Sequence, residues 1–143
     1  MSDKDIEQEI QDKGLTAPRI TLQHIESVII SEHYFTAAEG VHGANELLKP
    51  HESPIDYYQE VHPAESLLTF CVMVLRNGFT VTGESACATP ENFDPEIGRK
   101  IARENAVNKI WMLEGYLLKQ RLHDDRSDVW ENEDDCRQAL ESK

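Results

Sequence analysis

Arg99 and Arg103 stand four residues apart in a stretch that opens on Asp94-Pro95 and carries Ala106, Ile110, Leu113 and Leu117. On a helix at ~100° per residue, all four apolar residues and Arg103 fall within about 40° of Arg99. The arginines thus continue an apolar stripe toward the helix N-terminus. Guanidinium groups on a core-facing line are costly unless paired, and a helix N-terminus itself favours anions. Residues 94–122 hold six bases and four acids, a local +2 in a chain of net charge −13. A planar guanidinium fork matches phosphate oxygens bidentately. The pattern points to a clamp for a small phosphorylated ligand. Its competitor is internal salt bridging to acids such as Glu84, or plain exposure of the first turns. Gly98, odd for a helix, either permits close approach of a ligand or backbone or marks a weak helix start.

Other chemistry is thin. Gly83-Glu84-Ser85-Ala86-Cys87 lacks the second glycine of a nucleophile elbow. There is no phosphate loop of the Walker type and no Gly-x-Gly-x-x-Gly. Cys87 has no sequence-local histidine and is expected to be a buried structural thiol. His33, His42, His51 and His62 are spaced by nine, nine and eleven residues, without a His-x-x-His or Cys-x-x-Cys pair. No metal site, no cofactor and no enzymatic activity are expected.

The elements that must position the arginines follow from local signals. Thr21 suits an N-cap, Ile20 and Ile25 have staple spacing, and Ile25, Val28 and Ile29 form a helical stripe. That helix is predicted to end near Glu32, with His33-Tyr34-Phe35 extended. Residues 37–66, punctuated by Gly40, Gly43, Pro50, Pro54 and Pro63, read as an irregular insertion. Leu67–Leu75 is strand material, and Asn77-Gly78 is a strong signal for a two-residue type I′ hairpin returning along Phe79–Cys87. That loop pairs Val74 with Val81, Val72 with Gly83 and Phe70 with Ser85, a face expected to pack on helices. The opposite face, with Leu75, Met73 and Cys71 against Thr80, Thr82 and Glu84, is apolar on one strand and polar on the other. Apolar residues on both faces imply a second cover, the long loop or another subunit. Asp94 as N-cap and Pro95 at the first helical position open the main helix, which is expected to reach Gln120 or Leu122. The fold class is α+β, a small antiparallel sheet packed with two helices and oligomeric.

Length and composition set the frame. A chain of 143 residues with 39% apolar content supports one domain with a modest core. Residues 1–17 carry net −3 and residues 123–143 carry net −5, so both read as acidic extensions of a single ligand-binding domain at 18–122. Ile6 and Ile10 allow a short N-terminal helix, and Val129, Trp130 and Leu140 allow weak docking of the tail. The charge excludes a generalist nucleic-acid binder and disfavours an anionic membrane surface. The longest apolar run, Leu67–Leu75, is nine residues interrupted by Thr69, and a membrane span needs ~20. The N-terminus has no apolar signal region. Three cysteines, Cys71, Cys87 and Cys136, fit reduced cytosolic thiols.

Three segments carry a resemblance: the helix ending in Ser31-Glu-His-Tyr-Phe-Thr36, the block NGFTVTGESAC ending at Cys87, and ENFDPEIGRKIARENAV from Glu91. Together they resemble the small tailed-phage gp49/gene 66-like family that includes the type 1 Thoeris anti-defence sponges, over roughly 18–36 and 67–122. The resemblance implies a non-enzymatic protein. Such sponges bind cyclic ADP-ribose isomers made by TIR-domain defence enzymes and hold them intact in the cytoplasm of the infected host. Members are dimers with ligand pockets between subunits, and some are hexamers with further sites for cyclic di- or trinucleotides of a second defence system, CBASS. On this resemblance Arg99 and Arg103 hold the diphosphate, Thr82 and Glu84 meet ribose hydroxyls, Phe79 or Phe93 stacks on adenine, and Asn92 reaches a base or ribose edge. No nucleic-acid polymer and no membrane is implied as a partner. The insertion at 37–66 and the acidic ends depart from short members. The alternative is an acidic phage protein that inhibits a host protein by direct interaction or nucleic-acid mimicry. A third reading, a hydrolase of the same signals, has no catalytic constellation behind it.

Overall fold

The computed structural model describes residues 2–15, 17–48 and 58–127. The chain order is α1 (Asp3–Asp12), α2 (Leu22–Val28), β1 (Ile29–Thr36), α3 (Ala37–Glu46), β2 (Leu68–Leu75), β3 (Thr80–Ala86) and α4 (Pro95–Ser127), with short 3-10 turns at Pro63–Leu67 and Pro90–Asn92. The architecture is α+β, built on a three-stranded antiparallel sheet of order β1-β2-β3. The chain forms two compact units, Glu26–Ile110 and a second made of the segments 1–25 and 111–143.

The Glu26–Ile110 unit is organised by β2. Its alternate residues Thr69, Cys71, Met73 and Leu75 are buried, joined by Val81 and Gly83 on β3. α4 lies directly on this face. A Cβ at Gly83 would stand 2.0 Å from the Ala102 carbonyl oxygen and 2.4 Å from the Ala106 nitrogen. Ala102 and Ala106 are fully buried. Glycine and alanines therefore let helix backbone touch strand backbone. Asn105 Nδ2 donates to the Glu84 carbonyl at 2.7 Å, and Lys109 Nζ donates to the Thr82 carbonyl. These bonds pin the helix to β3.

The hairpin forms in a different register from the one expected. Gly78 has φ +87° and is one of two residues with positive φ among the described ones, both glycine, so Asn77 is not left-handed. A type I′ turn needs positive φ at both central residues. Instead Gly78 N donates to the Leu75 carbonyl, and Leu75 N donates to the Phe79 carbonyl, each at 2.8 Å. Asn77 Oδ1 accepts from Phe79 N at 3.0 Å. The loop is Arg76-Asn77-Gly78, so Val81 pairs with Met73 and Gly83 with Cys71. A one-residue slip exchanges the faces. The helix-packed face is Thr69-Cys71-Met73-Leu75. The half-polar one pairs Phe70, Val72 and Val74 with Glu84, Thr82 and Thr80. Both alternate sets of β2 are apolar, so hydrophobicity could not choose between them.

Two further expectations are corrected. α2 ends at Val28, and the β-branched Ile29-Ile30 already belongs to β1. A register shift between Ile29 and Ser31 leaves Ile30 63% exposed. Residues 37–46, expected to be irregular, form α3 despite Gly40 and Gly43. Thr36 caps it by accepting from Glu39 N at 3.1 Å. α3 lies by the Phe35 ring, 3.4 Å from where a Gly40 Cβ would sit, and Phe35 meets Phe70 at 5.9 Å between centroids. Residues 49–57 of that stretch lie outside the described ones.

α4 begins as expected. Asp94 Oδ1 accepts from Glu96 N and Ile97 N at 2.9 and 3.3 Å, and Pro95 opens the helix. It runs to Ser127, beyond the Gln120–Leu122 end expected. Of its predicted stripe, Ala106 and Ile110 are fully buried, but Leu117 is 45% exposed.

In the other unit, Ser2 and Asp5 form a capping box that starts α1. Arg19 grips Glu7 bidentately at 2.7 Å for both contacts, and this fork, with a Gln11 hydrogen bond, holds the Glu7 carboxyl down at about 2. His24 Nε2 and Glu114 Oε2 lie 2.8 Å apart, which gives the buried Glu114 a partner. The tail residues Val129, Trp130, Cys136 and Leu140 lie outside the described ones.

Candidate functional site

Arg99 and Arg103 leave α4 one turn apart and meet different surroundings. Arg103 faces the β1 side. Its Nη2 donates to Glu26 Oε2 at 2.8 Å and to Glu32 Oε1 at 3.0 Å, and its Nε reaches both Glu32 oxygens at 3.3 Å. Tyr34 Oη donates to the same Glu32 carboxylate at 2.7 Å. Partial burial pushes the Glu32 carboxyl up, but the Arg103 and Tyr34 hydrogen bonds outweigh it and hold the group below its ordinary range. Burial and the Glu32 bond push the Tyr34 hydroxyl far up. The Glu32 and Glu26 bonds raise Arg103 in turn. The internal partners of Arg103 are thus Glu26 and Glu32, not Glu84.

Arg99 is exposed, and no hydrogen bond or ion pair holds it among the described residues. It stands at the rim of a cleft of about 70 Å³ lined by Tyr34, Phe35, Thr36, Thr69, Phe93 and Pro95. Thr69 is 3% exposed, and its Oγ1 has no hydrogen-bond partner among the described residues. Gly98 is buried beside it, with the place of its missing Cβ 3.0 Å from that oxygen. The close approach suspected at Gly98 is therefore made by a strand side chain.

The helix dipole adds less than the sequence suggests. Glu96 N and Ile97 N are taken by the Asp94 side chain, Gly98 N by the Asp94 carbonyl at 2.9 Å, and Pro95 has no N–H.

The remaining sequence candidates sit elsewhere in the chain. Thr82 Oγ1 donates to Glu84 Oε1 at 3.2 Å on the half-polar sheet face. Phe79 is 54% exposed at the hairpin tip. Asn92 closes the 3-10 turn, its N donating to the Thr89 carbonyl at 3.2 Å. Phe93 alone of these shares the cleft with Arg99. Cys87, expected to be buried, is half-buried with its Sγ donating to the Thr89 carbonyl at 3.1 Å. Tyr34 and Thr69 also line the cleft, and no local motif marks either as a site residue. Thr69 was visible as the one hydroxyl in the Leu67–Leu75 run. Among the described residues, no group of three or more His, Cys, Asp or Glu is placed to hold a metal. No described helix is long and apolar enough to cross a membrane.

Sheet, helix and exposed arginine define a small α+β protein with an arginine-lined cleft. A family model matches residues 20–122, the span that holds the sheet and both arginines. The chain belongs to the phage protein (N4 Gp49/phage Sf6 gene 66) family. No curated protein and no solved structure matches it.

Proposed function

We propose that this phage-family protein is a non-enzymatic anti-defence sponge. It binds cyclic ADP-ribose isomers, the immune signals of Thoeris defence, and withholds them uncleaved in the cytoplasm of the infected host. The observation that carries the reading is Arg99, an exposed guanidinium without an ion pair among the described residues, beside aromatic walls, in a chain of net charge −13. A guanidinium forms charge-assisted, bidentate hydrogen bonds with phosphate oxygens. Arg103 supplies the second contact when a ligand phosphate displaces Glu26, the more exposed of its two carboxylates.

A sponge must enclose its ligand, and a cleft of about 70 Å³ cannot enclose a whole cyclic nucleotide. A second copy on the half-polar sheet face supports closure. Phe70, Val72 and Val74 are only half-buried there, and Thr82 and Glu84 stand beside them as ribose partners. The assembly is a homodimer, or a hexamer built as a trimer of dimers with cyclic di- or trinucleotide sites.

The test is to incubate the purified protein with TIR-generated cyclic isomers, remove free ligand, denature by heat and identify what is released. An intact cyclic isomer is the expected product. A cleaved product contradicts the reading. Retention of no cyclic mono-, di- or trinucleotide favours an acidic inhibitor of a host protein, for which the net charge is the supporting feature.

A further inference from the structure

We infer that the outward face of the C-terminal half of α4 is the docking surface for the protein's own acidic C-terminal segment, residues 128–143, anchored by Leu140 over Met112 and Tyr116. This contact is separate from the arginine cleft and from the function proposed above.

The helix itself defines the face. At ~100° per residue, Tyr116, Lys119, His123 and Arg126 all fall within about 40° of Met112. Met112 and Tyr116 are each 72% exposed, and Lys119, His123 and Arg126 are exposed beyond them. No acidic residue of 112–126 falls in that sector; Asp124 approaches His123 at 3.5 Å from the neighbouring one. Lys119 and Arg126 hold no ion pair among the described residues. An apolar pair is thus followed by basic side chains, in a chain of net charge −13.

The segment beyond α4 is the complement of this face. Sixteen residues follow Ser127, outside the described ones, and carry six acids and two bases. Opposite charge favours their approach to Lys119 and Arg126. Cys136, Ala139 and Leu140 have the i, i+3, i+4 spacing of one apolar helix face. Asn132, Asp134 and Asp135, which precede them, are turn formers and allow the chain to reverse. The reach is sufficient. Tyr116 and Met112 lie about 16 and 22 Å back along α4 from Ser127 at ~1.5 Å per residue, and the chain from Ser127 to Leu140 extends up to ~43 Å. Tethering also holds the segment at an effective concentration on the order of mM. A second copy of the face is the poorer occupant, because it sets basic side chains against basic side chains.

The test is methyl NMR on the full chain. Met112 is one of three methionines and Met73 is fully buried, so their methyl signals separate readily. The Met112 methyl should show a nuclear Overhauser contact to the Leu140 methyls. Leu140→Asp should abolish that contact's shift and move the Met112 signal to that of a solvent-exposed methionine. Lys119→Glu combined with Arg126→Glu should release the segment as well, and both positions are exposed, so the fold should persist. In a mixture of isotopically labelled and unlabelled protein, the contact should stay within one chain. A Met112 signal indifferent to Leu140→Asp would overturn the docking. So would a contact found only between chains, which would give the face to a second copy. A contact that survives the double charge reversal would overturn the charge pairing that selects this occupant.

Discussion

Arg99 and Arg103 carry the same guanidinium on the same helix, one turn apart, and their surroundings use them in opposite ways. Around Arg103 the sheet supplies Glu32, buttressed by Tyr34, and α2 supplies Glu26. The charge is matched within the protein, and the side chain is 32% exposed. Around Arg99 the same helix turns toward aromatic walls and an unbonded hydroxyl, with no carboxylate bonded to it among the described residues. Spacing along a helix thus says which groups share a face but not what that face meets. One arginine is held by the fold, and the other is left with its charge to offer.

The contrast depends on how closely α4 lies on the sheet. Gly83→Val should erase it altogether. The side chain would enter helix backbone at 2.0 Å, so the cost should exceed the ~1–3 kcal/mol of ordinary overpacking. Loss of a cooperative thermal transition is the expected readout. Arg103→Ala should sharpen the contrast. It leaves the half-buried Glu32 without its main partner and should cost about 1–3 kcal/mol in denaturant unfolding, after allowing for partial solvent screening. Arg99→Ala should stay within about 0.5 kcal/mol of the wild type.

The Glu32–Arg103 pair also predicts a pH dependence. The folded Glu32 carboxyl is depressed from 4.5, so its contribution is complete above that value and is lost as pH falls through the lower folded one. The stability gap between the wild type and Glu32→Gln should therefore be widest above pH 4.5 and close on acidification. A purely local effect is expected at the hairpin tip. Gly78→Ala imposes a side chain at φ +87° and should cost about 1 kcal/mol. It should leave both arginine environments unchanged, as judged by their side-chain NMR signals.

Much of this fold was legible because its signals are local. Asp94-Pro95 announces a helix start, and Asn77-Gly78 announces a hairpin. The register was not legible, because Phe70-Val72-Val74 and Cys71-Met73-Leu75 are equally apolar and only the φ of Asn77 decides the loop length. α3 was hidden by Gly40 and Gly43, although Thr36 followed by Glu39 is a readable cap. Of the candidate site, Arg99 and Arg103 were legible as a pair, and Phe93 as a possible wall. The partners of Arg103 lie 71 and 77 residues away in a chain with 27 acids, beyond the reach of any local pattern. Thr82, Glu84, Phe79 and Asn92 do not line the cleft with Arg99: Thr82 and Glu84 lie on the half-polar face of the sheet, Phe79 at the hairpin tip and Asn92 in the 3-10 turn before α4.

The most direct test of the division of labour is calorimetric titration of a cyclic ADP-ribose isomer into the wild type, Arg99→Ala and Arg103→Ala, with folding checked in parallel. Arg99→Ala should keep wild-type stability and lose roughly 10–100-fold in affinity, the worth of a charge-assisted contact. Arg99→Ala binding the isomer as tightly as the wild type would contradict the account.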